Sequence, residues 1–143
     1  MRRDNSLLEN ATFMRVARVK NGKIIKFAAV GAIGTAINVL VLYLLSRWAG
    51  LPLAAASALA VELAAVSNYL LNDSWTFAVR TPTFRRFAKF SVASLMGLAL
   101  NVFMVWLLAR VGLYFLAADL VGIAAGFSLN YAFSVSWVWG KAA

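Results

Sequence analysis

The side chains in this 143-residue chain that could do chemistry are few, and their kinds are restricted. There is no Cys and no His, which removes thiol nucleophiles, imidazole bases, disulfides and Cys/His metal sites. No nucleophile–base pair and no cluster of metal ligands stands out, so an enzyme is the least favoured class and no metal or cofactor is expected. What remains is one carboxylate in an apolar run (Glu62), a second in a polar motif (Asp73), asparagines at repeated positions (Asn38, Asn68, Asn72, Asn101, Asn130) and paired basic residues (Lys26 and Lys89, Arg47 and Arg110). An ionised Glu at bilayer depth costs about 2.5–3.5 kcal/mol even on lenient insertion scales. Glu62 therefore reads either as a site for protons, cations or polar substrate, or as a hydrogen-bonded group at a helix or subunit contact. It stands six residues from Asn68, about 120° round a helix, so the two need not line one surface.

Asn38 falls on a helical face with Gly31 and Gly34, and Asn101 on one with Ser94 and Gly97. Asp119, Gly122, Gly126 and Asn130 form another stripe, repeated as Ser57, Ala60, Ala64 and Asn68. Small residues let helices approach closely, and Asn can hydrogen-bond across the contact. Helix packing and a polar cavity both follow from this pattern. The basic pairs suit phosphate, which Arg grips with two parallel hydrogen bonds and Lys meets as a point charge. Ordinary anchoring of helix ends to bulk lipid is the competing account.

The elements that must position these residues are membrane helices. The chain is 63% hydrophobic and 13% charged, whereas a soluble domain has roughly 45–50% apolar and about 25% charged residues. Apolar stretches at about 27–46, 53–72, 88–109 and 115–138 are each long enough to cross the hydrocarbon core as a helix. The spacing predicts an all-α integral membrane protein of four spans. Arg47–Pro52 and Arg110–Gly112 punctuate the outer turns, and a basic loop with Arg80, Pro82, Arg85 and Arg86 separates spans two and three. Lys and Arg number twelve in residues 1–26, the middle loop and the C-terminus, against Arg47 and Arg110 on the other side. Both termini and the middle loop are therefore expected in the cytoplasm. Trp75, Trp137 and Trp139 then fall at the inner interface and Trp48 at the outer. This topology accounts for most of the net charge of +9, so nucleic acid is not the expected partner. A cleaved signal peptide is not expected, because the first apolar run is too long and follows a basic region of about 25 residues.

The chain also reads as a tandem duplication. Lys26-Phe27 returns as Lys89-Phe90, Gly34 as Gly97, Asn38 as Asn101, Leu44-Leu45 as Leu107-Leu108 and Arg47 as Arg110. After a one-residue deletion, Gly50 returns as Gly112, Asn68-Tyr69 as Asn130-Tyr131 and Trp75 as Trp137. Two spans per unit make a parallel repeat of helical hairpins about an axis along the membrane normal. Repeat one is placed at 26–77 and repeat two at 89–139, within a membrane domain of 26–140. Residues 1–25 form a basic segment in which Leu7, Leu8, Ala11 and Met14 make either a short amphipathic face or a frayed tail.

The Lys-Phe starts and the run Glu62-Leu-Ala-Ala-Val-Ser-Asn68-Tyr-Leu-Leu-Asn72-Asp73-Ser-Trp75-Thr-Phe77 resemble the GtrA-like family. Phe27, Gly31, Gly34 and Thr35 are similar to that family's Phe-x-x-x-Gly-x-x-Gly-Thr pattern. Many members carry a basic residue where this chain has Asp73, and the second copy is weaker, Asn130-Tyr-Ala-Phe-Ser134-Val-Ser-Trp137. The resemblance implies a small four-span protein of the cell (inner) membrane in envelope polysaccharide synthesis. It implies movement of polyprenyl-phosphate-linked sugars between leaflets, alongside a polyprenyl-phosphate glycosyltransferase. On that account Glu62 and the asparagines meet sugar hydroxyls, the basic pairs meet phosphate and the prenyl chain stays in lipid. Two alternatives stand beside it: a membrane anchor that recruits a glycosyltransferase, and a proton-coupled exporter of small cations built on Glu62. Four short helices enclose little volume, so a homo-oligomer is expected.

Overall fold

In a computed structural model the backbone is described for residues 3–140 and the side chains for residues 22–140. Four helices follow one another: α1 (Arg3–Arg47), α2 (Leu53–Leu71), α3 (Phe84–Arg110) and α4 (Phe115–Phe133). α2 and α4 each continue into a π-helical turn, Asn72–Thr76 and Ser134–Val138. The segments long and apolar enough to cross a membrane are Gly22–Arg47, Leu53–Thr76, Phe84–Arg110 and Phe115–Val138, of 24 to 27 residues. At 1.5 Å per residue each is roughly 36–40 Å long, enough for the hydrocarbon core with some tilt. The protein is a multi-pass, all-α integral membrane protein.

The chain divides into two units, residues 1–76 and 77–143, each built on one pair of antiparallel helices. In the first unit Ala56, Ala60 and Ala64 of α2 are buried, and a Cβ on Gly34 of α1 would run into the Asn68 side chain. In the second unit the backbones of α3 and α4 touch. A Cβ on Gly97 would lie 2.7 Å from the carbonyl oxygen of Gly126, and one on Gly122 would lie 2.9 Å from that of Asn101. Lipid tails are as apolar as leucine, so close approach of small residues, rather than expulsion of water, holds such pairs together. Both hairpin turns use a left-handed glycine, Gly50 at φ 66° and Gly112 at φ 89°. The Leu113 amide donates to the Leu108 carbonyl and the Gly112 amide to the Ala109 carbonyl, closing the end of α3 as a Schellman turn.

Several expectations are corrected. The buried ridge on α4 is Ala118, Gly122 and Gly126, while Asp119 is exposed. On α2 the ridge begins at Ala56 rather than Ser57. Four-residue spacing keeps these small residues in one row, and the neighbouring position is turned about 100° away. Gly31 leaves the contact face too, since a Cβ there would meet nothing within 4 Å. Arg85 and Arg86 belong to the first turn of α3 and not to the loop. Thr83 caps that helix, its hydroxyl accepting from the Arg86 amide at 3.3 Å. Trp139, expected at the lipid interface, is 0% exposed. It stacks on Phe77 at 4.3 Å and meets Phe90 edge-on at 5.6 Å. The backbone of the basic N-terminal segment runs unbroken into the first span. The amphipathic face expected from Leu7, Leu8, Ala11 and Met14, and the charge of Lys141, lie outside the described residues.

Candidate polar site and its basic rim

The basic residues at the start of each pair are positioned by the π-helical turns. A π-helical turn widens the helix by one residue and loosens its last carbonyls. Lys26 of α1 reaches one of them, its Nζ donating to the Trp75 carbonyl at 3.5 Å and standing 5.6 Å from the centre of the Trp75 ring. Lys89 of α3 does the same to Trp137, at 3.4 Å and 5.2 Å. An ammonium beside a helix C-terminus is favoured by the helix dipole, and an indole face adds a cation–π attraction of about 0.5–1 kcal/mol at an exposed site. Each lysine thus closes its own helical pair and still leaves donors for an outside anion. At the opposite end Arg110 lies over Trp106, 4.3 Å from the ring centre, a pairing not read from the sequence. Arg47 is exposed in the last turn of α1.

The asparagines divide by unit. In the second unit Asn130 is satisfied on both sides: its Nδ2 donates to Ser94 Oγ at 3.4 Å, and its Oδ1 accepts from Ser134 Oγ at 3.4 Å. Asn101 packs against Gly126 and Gly122, which fits the packing account of these residues. In the first unit, Asn38 Oδ1, Asn68 Oδ1, Asn72 Oδ1 and Thr76 Oγ1 are buried with no hydrogen-bond partner. Asn72 is 2% exposed and Thr76 3%. Asp73 is buried beside them at 1%. Leaving such a group unpaired costs about 1–3 kcal/mol. Thr76 was not singled out in the sequence, although its four-residue spacing from Asn72 and Asn68 was the available signal.

Glu62 is not part of this cluster. It is exposed on α2, among exposed Leu59, Val61, Leu63 and Val66. Among the described residues it has no hydrogen-bond or ion-pair partner. The third feature is an open groove of about 460 Å³ in the second unit, lined by Phe84, Arg85, Ala88, Lys89, Val92 and Trp137. Two cations stand there against an apolar wall, at the end of a membrane span. Phosphate and hydrocarbon from one lipid could be met side by side in such a groove.

Residues 26–139 match the family described as GtrA/DPMS, transmembrane domain. The chain belongs to this family. Lys26 and Trp139, the ends of that match, are also the first clamp residue and the buried indole of the fold. A relative named dolichol-phosphate mannosyltransferase, from Pyrococcus furiosus, is 36% identical over 119 residues. The match takes in 82% of this chain but 34% of that relative, so the GtrA/DPMS chain spans about a third of the relative's length. Involvement in polyprenyl-phosphate sugar processes is the coarse function that these two findings support.

Proposed function

We propose that this GtrA/DPMS protein carries polyprenyl-phosphate-linked sugars between the leaflets of the cell (inner) membrane, itself making and breaking no bond. The observation that carries this reading is the groove of Arg85 and Lys89 against Phe84, Val92 and Trp137. It offers point charge and guanidinium to a phosphate and an apolar wall to the chain attached to it. In this reading both termini face the cytoplasm, because twelve of the fourteen Lys and Arg lie on that side. The test is transport of a polyprenyl-phosphate-sugar in proteoliposomes made from the purified protein. Wild type is expected to move the lipid. Glu62→Ala and Asn68→Ala are expected to abolish movement at normal expression, and Lys26→Ala and Lys89→Ala to weaken capture of the phosphate. Normal transport by all four variants would place the path elsewhere.

A second reading is favoured by the relative, in which the matching stretch is about a third of a protein named as a mannosyltransferase. The helices would then serve as a membrane platform for a glycosyltransferase that works on the same lipid. Wild-type protein that moves no lipid-linked sugar yet retains a glycosyltransferase on the vesicle would decide for it.

A further inference from the structure

The two helical pairs carry corresponding residues but not the same hydrogen bonds. In the second pair Ser94, Asn130 and Ser134 form a closed chain, and Val138 follows with nothing to satisfy. The corresponding residues of the first pair are Gly31, Asn68, Asn72 and Thr76. Glycine in place of Ser94 removes the hydroxyl that would pair with Asn68, and the space above Gly31 is open. Asn72 in place of Ser134 and Thr76 in place of Val138 add acceptors. Their oxygens, with that of Asn68, are buried and unpartnered. Native proteins leave few such groups without a partner.

We propose that the polar row of the first helical pair is a sugar-holding site, in which Asn68 and Asn72 accept hydrogen bonds from, and Thr76 exchanges one with, the hydroxyls of a sugar seated beside Gly31, while the corresponding row of the second pair is closed upon itself. Two of the unsatisfied atoms are amide oxygens, which only accept, so the ligand must donate; the Thr76 hydroxyl can accept or donate. Phosphate at neutral pH chiefly accepts and leaves the two amide oxygens unanswered. A polyol, which both donates and accepts, answers all three. This inference rests on the reading that the cargo is a lipid-linked sugar, and it assigns residues to the sugar end of that cargo.

The test makes the first pair chemically resemble the second. Gly31→Ser, Asn72→Ser and Thr76→Val each install the residue found at the corresponding position, singly and as a triple variant; Ser94→Gly is the mirror change. Binding of polyprenyl-phosphate-mannose and of polyprenyl phosphate without sugar is measured for the full chain in nanodiscs. Circular dichroism and monodispersity confirm that each variant is folded. Wild type is expected to prefer the sugar-bearing lipid by about tenfold, the factor that one or two net hydrogen bonds supply. The triple variant should lose that preference with its affinity for bare polyprenyl phosphate unchanged, and Ser94→Gly should keep it. A preference that survives in the triple variant, or that falls equally with Ser94→Gly, overturns the assignment. Equal binding of both lipids by wild type overturns the sugar site and leaves the carrier reading standing, whereas binding of neither removes both. Stabilisation of wild type by sodium chloride over choline chloride, lost in the triple variant and without any sugar preference, would identify a cation in place of the sugar.

Discussion

At Gly126 a side chain as small as a methyl would strike the carbonyl oxygen of Gly97 on the facing helix. Backbone cannot yield there as the tip of a long side chain would. Gly126→Leu is therefore expected to force α3 and α4 apart and destabilise the second pair by about 1–3 kcal/mol, the usual range for overpacking. Equilibrium unfolding in mixed micelles measures it, and an unchanged midpoint would show that the contact does not bear on stability. Gly31→Ala is the control. Its Cβ meets nothing within 4 Å, so the fold should gain the roughly 0.5–1 kcal/mol by which alanine exceeds glycine inside a helix. The same two glycines show what a residue type can tell a reader of the sequence. Both looked like packing residues, and only the facing helix separates the one that packs from the one that leaves space.

Among the elements, the helix ends carry the most information. Gly50 and Gly112 hold left-handed backbone in the two hairpin turns, at φ 66° and 89°. A β-branched side chain there costs about 1–2 kcal/mol from its Cβ alone. Gly50→Val and Gly112→Val are each expected to lower the unfolding midpoint by that amount, and a shift in only one of them would mean that the turns are not equivalent. Ala78 and Arg80, in the loop before α3, adopt φ of 56° and 58° without being glycine, and neither position showed this in the sequence. The four spans were legible because apolar runs of that length have few other uses. The start of α3 was not, because Arg85 and Arg86 look like loop until Thr83 is seen to cap the helix. The π-helical turns leave no hydrophobic period to read. The difference between the pairs at the candidate site was equally hidden, since Asn68 and Asn130 are the same residue and only their neighbours decide which one is satisfied.

For the molecule as a whole, the asymmetry of Lys and Arg makes orientation directly testable. An added C-terminal cysteine is expected to resist an impermeant thiol reagent applied outside intact cells and to react once the membrane is opened. The label is unambiguous because the chain has no native cysteine. Reaction from outside would reverse the topology and, with it, the leaflet to which Lys26 and Lys89 are assigned. The family match extends over both helical pairs, yet only the first has buried acceptors left open among the described residues. On the proposal above, substitutions at corresponding positions of the polar rows are expected to differ in kind as well as in size.

The burial of Trp139 has a spectroscopic consequence. Four of the five indoles, Trp48, Trp75, Trp106 and Trp137, are exposed, and Trp139 is sealed between Phe77 and Phe90. Brominated lipids, which quench indoles by contact, should extinguish emission from the exposed four where they meet the acyl chains and spare the fifth. A variant with the other four changed to phenylalanine would emit a blue-shifted, quencher-resistant band from Trp139 alone. Loss of that resistance would report the opening of this aromatic stack.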